Sequence, residues 1–131
     1  FLLFFVFNPL SGLVAEIVEI FYMMKAIIEN IQDETLVVIR GRIGIIIFDV
    51  DGNIKENVLL EPTGGIMMVN IPHEIFHTDV SLEEGTVFFE AKAGPFIPLA
   101  PEERANWAPK ENDEFVTEYL LSLKKLFECK R

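Results

Sequence analysis

The sequence contains little of what disulfide-linked, metal-cluster and membrane-spanning proteins require. Its 131 residues include one cysteine, Cys129, which excludes an internal disulfide and a cysteine-based zinc cluster. Only two histidines, His73 and His77, are available as metal ligands. No apolar run approaches the roughly 20 residues that a membrane-spanning helix needs. Glycine-rich phosphate loops and nucleotide-binding fingerprints are also missing.

Basic residues are scarce as well. Lys and Arg number 11 against 21 Asp and Glu, which gives a net charge of −10. Phosphate backbones and anionic lipid surfaces are bound through clustered Lys and Arg, so the balance argues against nucleic-acid and membrane partners. Half of the residues are hydrophobic, which is typical of one globular domain. We therefore predict a soluble, cytoplasmic protein.

The N-terminal segment is strongly apolar. Residues 1–7 are all hydrophobic, and the first charge is Glu16. A signal peptide would begin with Met and a basic region, and neither is present, which indicates a fragment, a trimmed chain or a processed one. We expect residues 1–26 to pack on the remaining domain or on a partner subunit, in a homodimer. The alternative is a remnant signal or a membrane-surface segment.

The middle of the chain has the pattern of an all-β protein. Short β-branched runs alternate with turn signals such as Asp49-Val50-Asp51-Gly52. Their spacing of about 8–12 residues predicts a sandwich or barrel. The predicted strands cover residues 35–39, 43–48, 54–60, 66–71, 76–81 and 86–92. Residues 14–28 also fit a helical period, but their frequent β-branched residues favour a further strand.

The C-terminal third changes character. Residues 94–109 contain four prolines and are predicted to form an extended wrap over the domain surface. Asn112 or Asp113 is expected to cap a final helix that continues to Phe127. Its apolar positions follow helical spacing, at Phe115, Val116, Tyr119, Leu120, Leu123, Leu126 and Phe127. Residues 112–131 thus form a C-terminal helical segment.

Two spacings point to a known family. Gly41 lies seven positions after Glu34, as at the end of a first cupin motif, and His77 lies five after Pro72, as in the second. Downstream, the run VFFEAKAGPF from Val87 is followed by NWAPKE. Together these segments resemble the WbuC family of cupin-fold metalloproteins over residues 27–111. The second motif departs from the family, because Glu and Ser replace its usual Gly and Asn.

The resemblance implies both a fold and a role. It implies an all-β, cupin-type jelly-roll β-barrel at residues 27–111, followed here by the C-terminal α-helix. It also implies an association with surface-polysaccharide (O-antigen) gene clusters, and hence a sugar-like ligand that is bound or modified. The family has no well-defined reaction.

The resemblance further implies one divalent metal, Zn, Mn, Fe or Ni, held by Glu34 and His77. Cupins usually add two histidines just before the glutamate, but residues 25–30 read KAIIEN and contain none. Asn30 is the candidate substitute ligand, with Glu29 as an alternative. A tight site needs three or four convergent ligands. The other possibility is a degenerate cupin that has lost its metal.

Further candidates surround this pair. Glu90 lies in an apolar strand, where an inward carboxyl with a raised pKa would act as a general acid or base. Arg40 and Arg42, two positions apart, would share a strand face and bind an anionic sugar or a carboxylate. Lys92 is a further ligand-binding candidate. The alternative for these charges is salt bridging among themselves and with the surplus acids.

Trp107 is either a lid over the ligand site or a buried anchor for the proline-rich segment.

Two functions remain open from the sequence. One is a WbuC-like cupin acting on a sugar intermediate, with Glu90 as the catalytic residue. The other is a metal-free, non-catalytic module for small-molecule binding or dimerisation. The missing histidines favour the second function, and the retained motif residues favour the first.

Overall fold

The computed structural model describes residues 2–6, 32–92, 104–110 and 113–128. Seven strands and one helix occur in this part of the chain. The strands are β1 Leu2–Val6, β2 Glu34–Arg40, β3 Ile43–Phe48, β4 Ile54–Leu60, β5 Met68–Ile71, β6 Phe76–Ser81 and β7 Val87–Lys92, and the helix is α1 Val116–Lys125.

The strands form two antiparallel sheets that pack face to face. One sheet has the order β1-β7-β2-β5, and the other has the order β4-β3-β6. Side chains from both sheets meet in one buried cluster, which consists of Leu36, Val38, Ile43, Ile45, Leu60, Ile71 and Phe88. Alternation along each strand explains this packing, since every second residue points to the same face. The fold is therefore all-β, as predicted.

The predicted barrel is not closed. Among the described strands, β5 and β4 end their respective sheets, and no ladder joins the two sheets around the core. Leu60 and Ile66 form only an isolated bridge. The arrangement is a jelly-roll-like sandwich. Strand spacing in the sequence predicts that sheets form, but it does not determine whether the edges of those sheets meet.

Helix α1 covers the outer face of the three-stranded sheet. A second buried cluster joins strand residues Ile46, Phe48 and Val80 to the apolar face of the helical region, at Val116, Leu120, Leu123 and Phe127. The Phe127 ring lies directly against Gly44 of β3. It fills the space that a side chain at position 44 would need. This contact fixes the end of the helical segment on the sheet.

Strand positions agree closely with the predictions, whereas the helix start does not. The helix begins at Val116, its cap residue is Phe115, and no side chain caps it. The carboxylate of Asp113 instead accepts a hydrogen bond from the backbone N–H of Lys110, at 2.7 Å. Phe115, counted among the apolar positions at helical spacing, precedes the helix and is 63% exposed. Asn112, the other proposed cap, lies outside the described residues.

The N-terminal strand adds to an edge of its own chain's sheet. β1 pairs antiparallel with β7, in a register that runs from Leu2 opposite Ala91 to Val6 opposite Val87. The strand predicted at 14–28 and most of the proline-rich segment lie outside the described residues. Among the described residues, no helix has both the length and the apolar character needed to cross a bilayer.

Candidate functional site

Five ionisable side chains meet between the two sheets. Glu34 pairs in register with Lys92, and Leu36 pairs with Glu90, so both strands present these residues on the face that carries core Leu36. On the opposing sheet, His77 and Asp79 of β6 lie opposite Ile47 and Ile45 of β3, whose side chains belong to the same core. We call Glu34, His77, Asp79, Glu90 and Lys92 the interior polar cluster.

Glu34 is the centre of this cluster. Its Oε2 lies 3.1 Å from His77 Nε2 and 3.3 Å from Lys92 Nζ. Lys92 Nζ also lies 3.1 Å from Glu90 Oε1, so it bridges the two glutamates. Burial alone would raise the pKa of Glu34, but the hydrogen bond and charge of His77 and the charge of Lys92 lower it on balance. Glu34 is therefore a buried carboxylate rather than a carboxylic acid.

The hydrogen-bond partners of the two ring nitrogens indicate the charge on His77. Its Nδ1 lies 2.9 Å from the carbonyl oxygen of Ile75, which can only accept, so Nδ1 carries a proton. Its Nε2 faces the Glu34 carboxylate, which also accepts. Burial opposes the charged ring, yet these bonds and the Glu34 charge raise the pKa of His77 above its usual value. The pair is thus an imidazolium and a carboxylate.

Two further carboxyls gain protons near neutrality. Burial, followed by the charge of Glu34, raises the pKa of Glu90 to about 7, even though Lys92 opposes the shift. Burial, followed by the charges of Glu34 and Glu90, raises the pKa of Asp79 to about 7. Groups with such pKa values exchange protons efficiently at pH 7. Glu90 and Lys92 retain some side-chain exposure, at 14% and 19%, which leaves this side of the cluster reachable.

The described donors do not fit a tight divalent metal site. Within the described ranges, no group of three or more His, Cys, Asp or Glu side chains is arranged to hold a metal ion. Glu34 and His77 are adjacent, but the imidazolium proton occupies Nε2, and the Lys92 ammonium lies beside the same carboxylate oxygen. These two cations would repel a metal ion at the same place. Asn30, the third predicted ligand, lies outside the described residues, so the metal site stays a prediction.

Arg40 and Arg42 lie at the other end of the sandwich. Glu34 begins β2 and Arg40 ends it, a separation of about 20 Å at the usual rise per residue. Gly41 between the arginines has a φ of +77°, outside either strand, so the alternation predicted to align them does not apply. Arg42 lies 3.7 Å from both Glu61 and Glu83. The structure does not bring either arginine to the interior polar cluster.

Trp107 packs on the helix side of the three-stranded sheet. Its ring centroid lies 4.9 Å from that of Phe48 and 5.8 Å from that of Phe76. Phe76 and His77 are successive residues of one strand and face opposite sides. Trp107 also covers Gly52 of the predicted Asp-Gly turn. This position corresponds to the anchor alternative rather than to a lid over the cluster.

Asp79 is the member that sequence reasoning missed. It follows His77 by two positions in a strand, so alternation alone places both side chains on one face. The signal was available, but the motif drew attention only to His77. His73, by contrast, is half-exposed and pairs with Asp33 at 2.7 Å, away from the cluster.

Comparisons with known proteins bear on the fold. No family profile matches the chain, and no curated protein matches it. Among solved structures, ChmJ, a 3'-monoepimerase from Streptomyces bikiniensis in complex with dTDP, matches with a TM-score of 0.54 and 11% identity, covering 96% of this chain and 77% of that one. QdtA, a sugar 3,4-ketoisomerase from Thermoanaerobacterium thermosaccharolyticum in complex with TDP, matches with a TM-score of 0.51 and 11% identity, covering 97% and 74%.

A third similar structure differs in extent. TehB from Haemophilus influenzae matches with a TM-score of 0.52 and 11% identity over 70% of this chain, which spans only 29% of TehB. At such identity the likeness concerns backbone architecture and not activity. The chain therefore has a cupin-like fold, built as two facing antiparallel sheets with a C-terminal helix.

Proposed function

We propose that this protein binds a sugar intermediate of surface-polysaccharide synthesis at the interior polar cluster and transfers protons to or from it. The observation that carries the proposal is the convergence of Glu34, His77, Glu90 and Lys92 on the inward faces of the two sheets. Buried ion networks with titrating members cluster at functional sites. The WbuC-like motif residues Glu34 and His77 belong to this network, which supports a WbuC-like role.

The chemistry follows from the charge on each group. Glu90, with a pKa of about 7, is the acid or base that meets the ligand, since it is more exposed than Glu34. Lys92 and His77 keep Glu34 ionised by pairing with its carboxylate. Lys92 also contacts Glu90 directly, so it stabilises the carboxylate that remains after Glu90 gives up its proton. No step in this proposal requires a metal.

Two neighbouring folds support the ligand class. ChmJ is a 3'-monoepimerase in complex with dTDP, and QdtA is a sugar 3,4-ketoisomerase in complex with TDP. Epimerisation and ketoisomerisation both move protons on a sugar, as we propose here.

The test is solvent exchange. The protein is incubated in D₂O with keto-sugars, both free and nucleotide-linked, and deuterium at carbons beside the carbonyl is followed by NMR. We expect catalysed exchange that falls at least about 100-fold in Glu90→Gln. Glu56→Gln, an exposed change on β4, is the matched control and should keep full exchange. Exchange at the uncatalysed rate with the unmodified protein would contradict proton transfer.

The second candidate is a non-catalytic, metal-free binding or dimerisation module. This alternative is favoured because Glu34, His77 and Lys92 form ion pairs with one another, so their charges are compensated without a ligand. In that case sugars would bind, or a dimer would form, with no exchange above background.

A further inference from the structure

Both cations of the interior polar cluster already form ion pairs with glutamate carboxylates. His77 Nε2 and Lys92 Nζ both contact the same oxygen of Glu34, at 3.1 and 3.3 Å. Lys92 also contacts Glu90. An anionic group that enters here must compete with a buried carboxylate for each of these donors, and the displaced carboxylate would lose its compensation.

The cluster also holds more acids than bases. Glu34, Asp79 and Glu90 lie with only two basic groups, His77 and Lys92, on the inward faces of the two sheets. A diphosphate would add at least two negative charges beside them. Like charges brought together at a desolvated site oppose binding, and phosphate recognition normally relies on Arg forks or helix N-termini.

The arginines of the described strands do not supply such a fork. Arg42 is engaged by Glu61 and Glu83, and Arg40 lies exposed beside it, at the far end of β2. In sequence, the connecting segment 93–103 contains no basic residue, and the segment 7–31 contains only Lys25.

We propose that the interior polar cluster takes an uncharged, hydroxyl-rich sugar that carries neither phosphate nor carboxylate. The inference rests on the proposed function and narrows its ligand class. A carboxylate accepts hydrogen bonds from neighbouring hydroxyls of one sugar, and Asp79 and Glu90 offer two carboxyls on facing sheets. Protonated Glu90 can also donate to a hydroxyl or ring oxygen. The ligand class therefore differs from the dTDP seen with ChmJ.

The experiment compares ligands that differ by one phosphate. Methyl glucoside, N-acetylglucosamine, galactose and mannose are titrated calorimetrically against glucose 1-phosphate, dTDP and dTDP-glucose, with the full chain at physiological salt. We expect a neutral sugar to bind at least about tenfold more tightly than every phosphorylated probe. In Asp79→Asn combined with Glu90→Gln, the discrimination should shrink because two acidic groups are removed from the cluster. Lys55→Gln, an exposed change on β4, should leave it unchanged.

The outcomes separate the two claims. Tighter binding of dTDP-glucose or glucose 1-phosphate would overturn this inference and leave the proposed sugar function standing. Binding of none of the probes would overturn both. Binding of neutral sugars with unchanged discrimination in the double variant would overturn the electrostatic explanation.

Discussion

At the residue scale, the central feature is a carboxylate that holds two cations inside a sandwich. Motif spacing identified Glu34 and His77, and alternation placed Glu90 correctly relative to Phe88. The partnership with Lys92 could not be predicted, because it depends on β2 and β7 being neighbours in a sheet and on their register. Cross-strand pairing brings together residues 58 positions apart, which local pattern does not encode.

The two acids Glu90 and Asp79 should make the stability of the fold depend on pH. Glu90 and Asp79 keep their protons to about pH 7 when folded, whereas the unfolded chain releases them near pH 4.5 and 3.8. The folded state thus binds more protons between these values, so stability falls as pH rises towards 7. His77, with its raised pKa, acts in the same direction above pH 6.5. We expect urea unfolding to give a lower free energy at pH 8 than at pH 5.5, by on the order of 2 kcal/mol for each of the two acids.

The double change of Asp79→Asn and Glu90→Gln should flatten this profile, because neither amide titrates. A profile that rises from pH 5.5 to 8, or one that the double change leaves unaltered, would contradict the assignment.

Removing one partner of the buried pair should be costly. His77→Ala leaves Glu34 buried with Lys92 as its remaining cation, and we expect a loss of about 3 kcal/mol in unfolding free energy. His73→Ala is the matched control, since its pair with Asp33 is half-exposed, and it should lower the free energy of unfolding far less than His77→Ala does. Equal losses in the two variants, measured by chemical denaturation, would show that burial of the pair does not matter.

At the element scale, strand positions were predictable and the helix start was not. β-branched runs between turn dipeptides mark strands because both signals are local. The expected cap failed because the Asp113 side chain bonds to Lys110 of the preceding turn, so the helix begins at Val116. The docking of the helical region on β3 depends on one close approach, that of Phe127 to Gly44.

That approach can be tested with a double-mutant cycle. Gly44→Ala places a methyl group in the space of the Phe127 ring, and we expect a loss of about 1–3 kcal/mol. Phe127→Ala leaves a cavity and should cost about 3–5 kcal/mol. The combined variant should be less destabilised than the sum of the two, because the methyl group then enters empty space. Strict additivity in thermal or urea unfolding would mean that the two positions do not interact.

At the scale of the whole molecule, composition and strand spacing indicated an all-β sandwich or barrel, and the described strands form an open jelly-roll arrangement of two sheets. Closure depends on whether sheet edges meet, which is a property of the assembled sheets. The N-terminal strand was expected to pack on the domain or a partner, and β1 pairs with β7 of its own chain. The homodimer stays a prediction.

Because β1 ends its sheet, its loss should expose β7. Phe4→Pro removes a backbone donor in the middle of the β1–β7 ladder, where Phe4 lies opposite Phe89. We expect faster hydrogen exchange along β7 and concentration-dependent association in light scattering, since an unpaired edge recruits other strands. Val50→Pro, at an exposed position of the Asp49–Gly52 turn, is a control for proline itself. Unchanged exchange along β7 would mean that β1 does not protect it.

The pairing of β1 with β7 joins two segments that are synthesised at different times. Residues 2–6 leave the ribosome before their partner, residues 87–92, which follows more than 80 positions later. At about 5–20 residues per second, this sequence of five apolar residues waits several seconds without its partner. Closing so long a loop is also slow, so the strand is expected to join last, after the central strands have assembled. Expression yield should therefore depend on chaperone supply more than on the final stability of the fold.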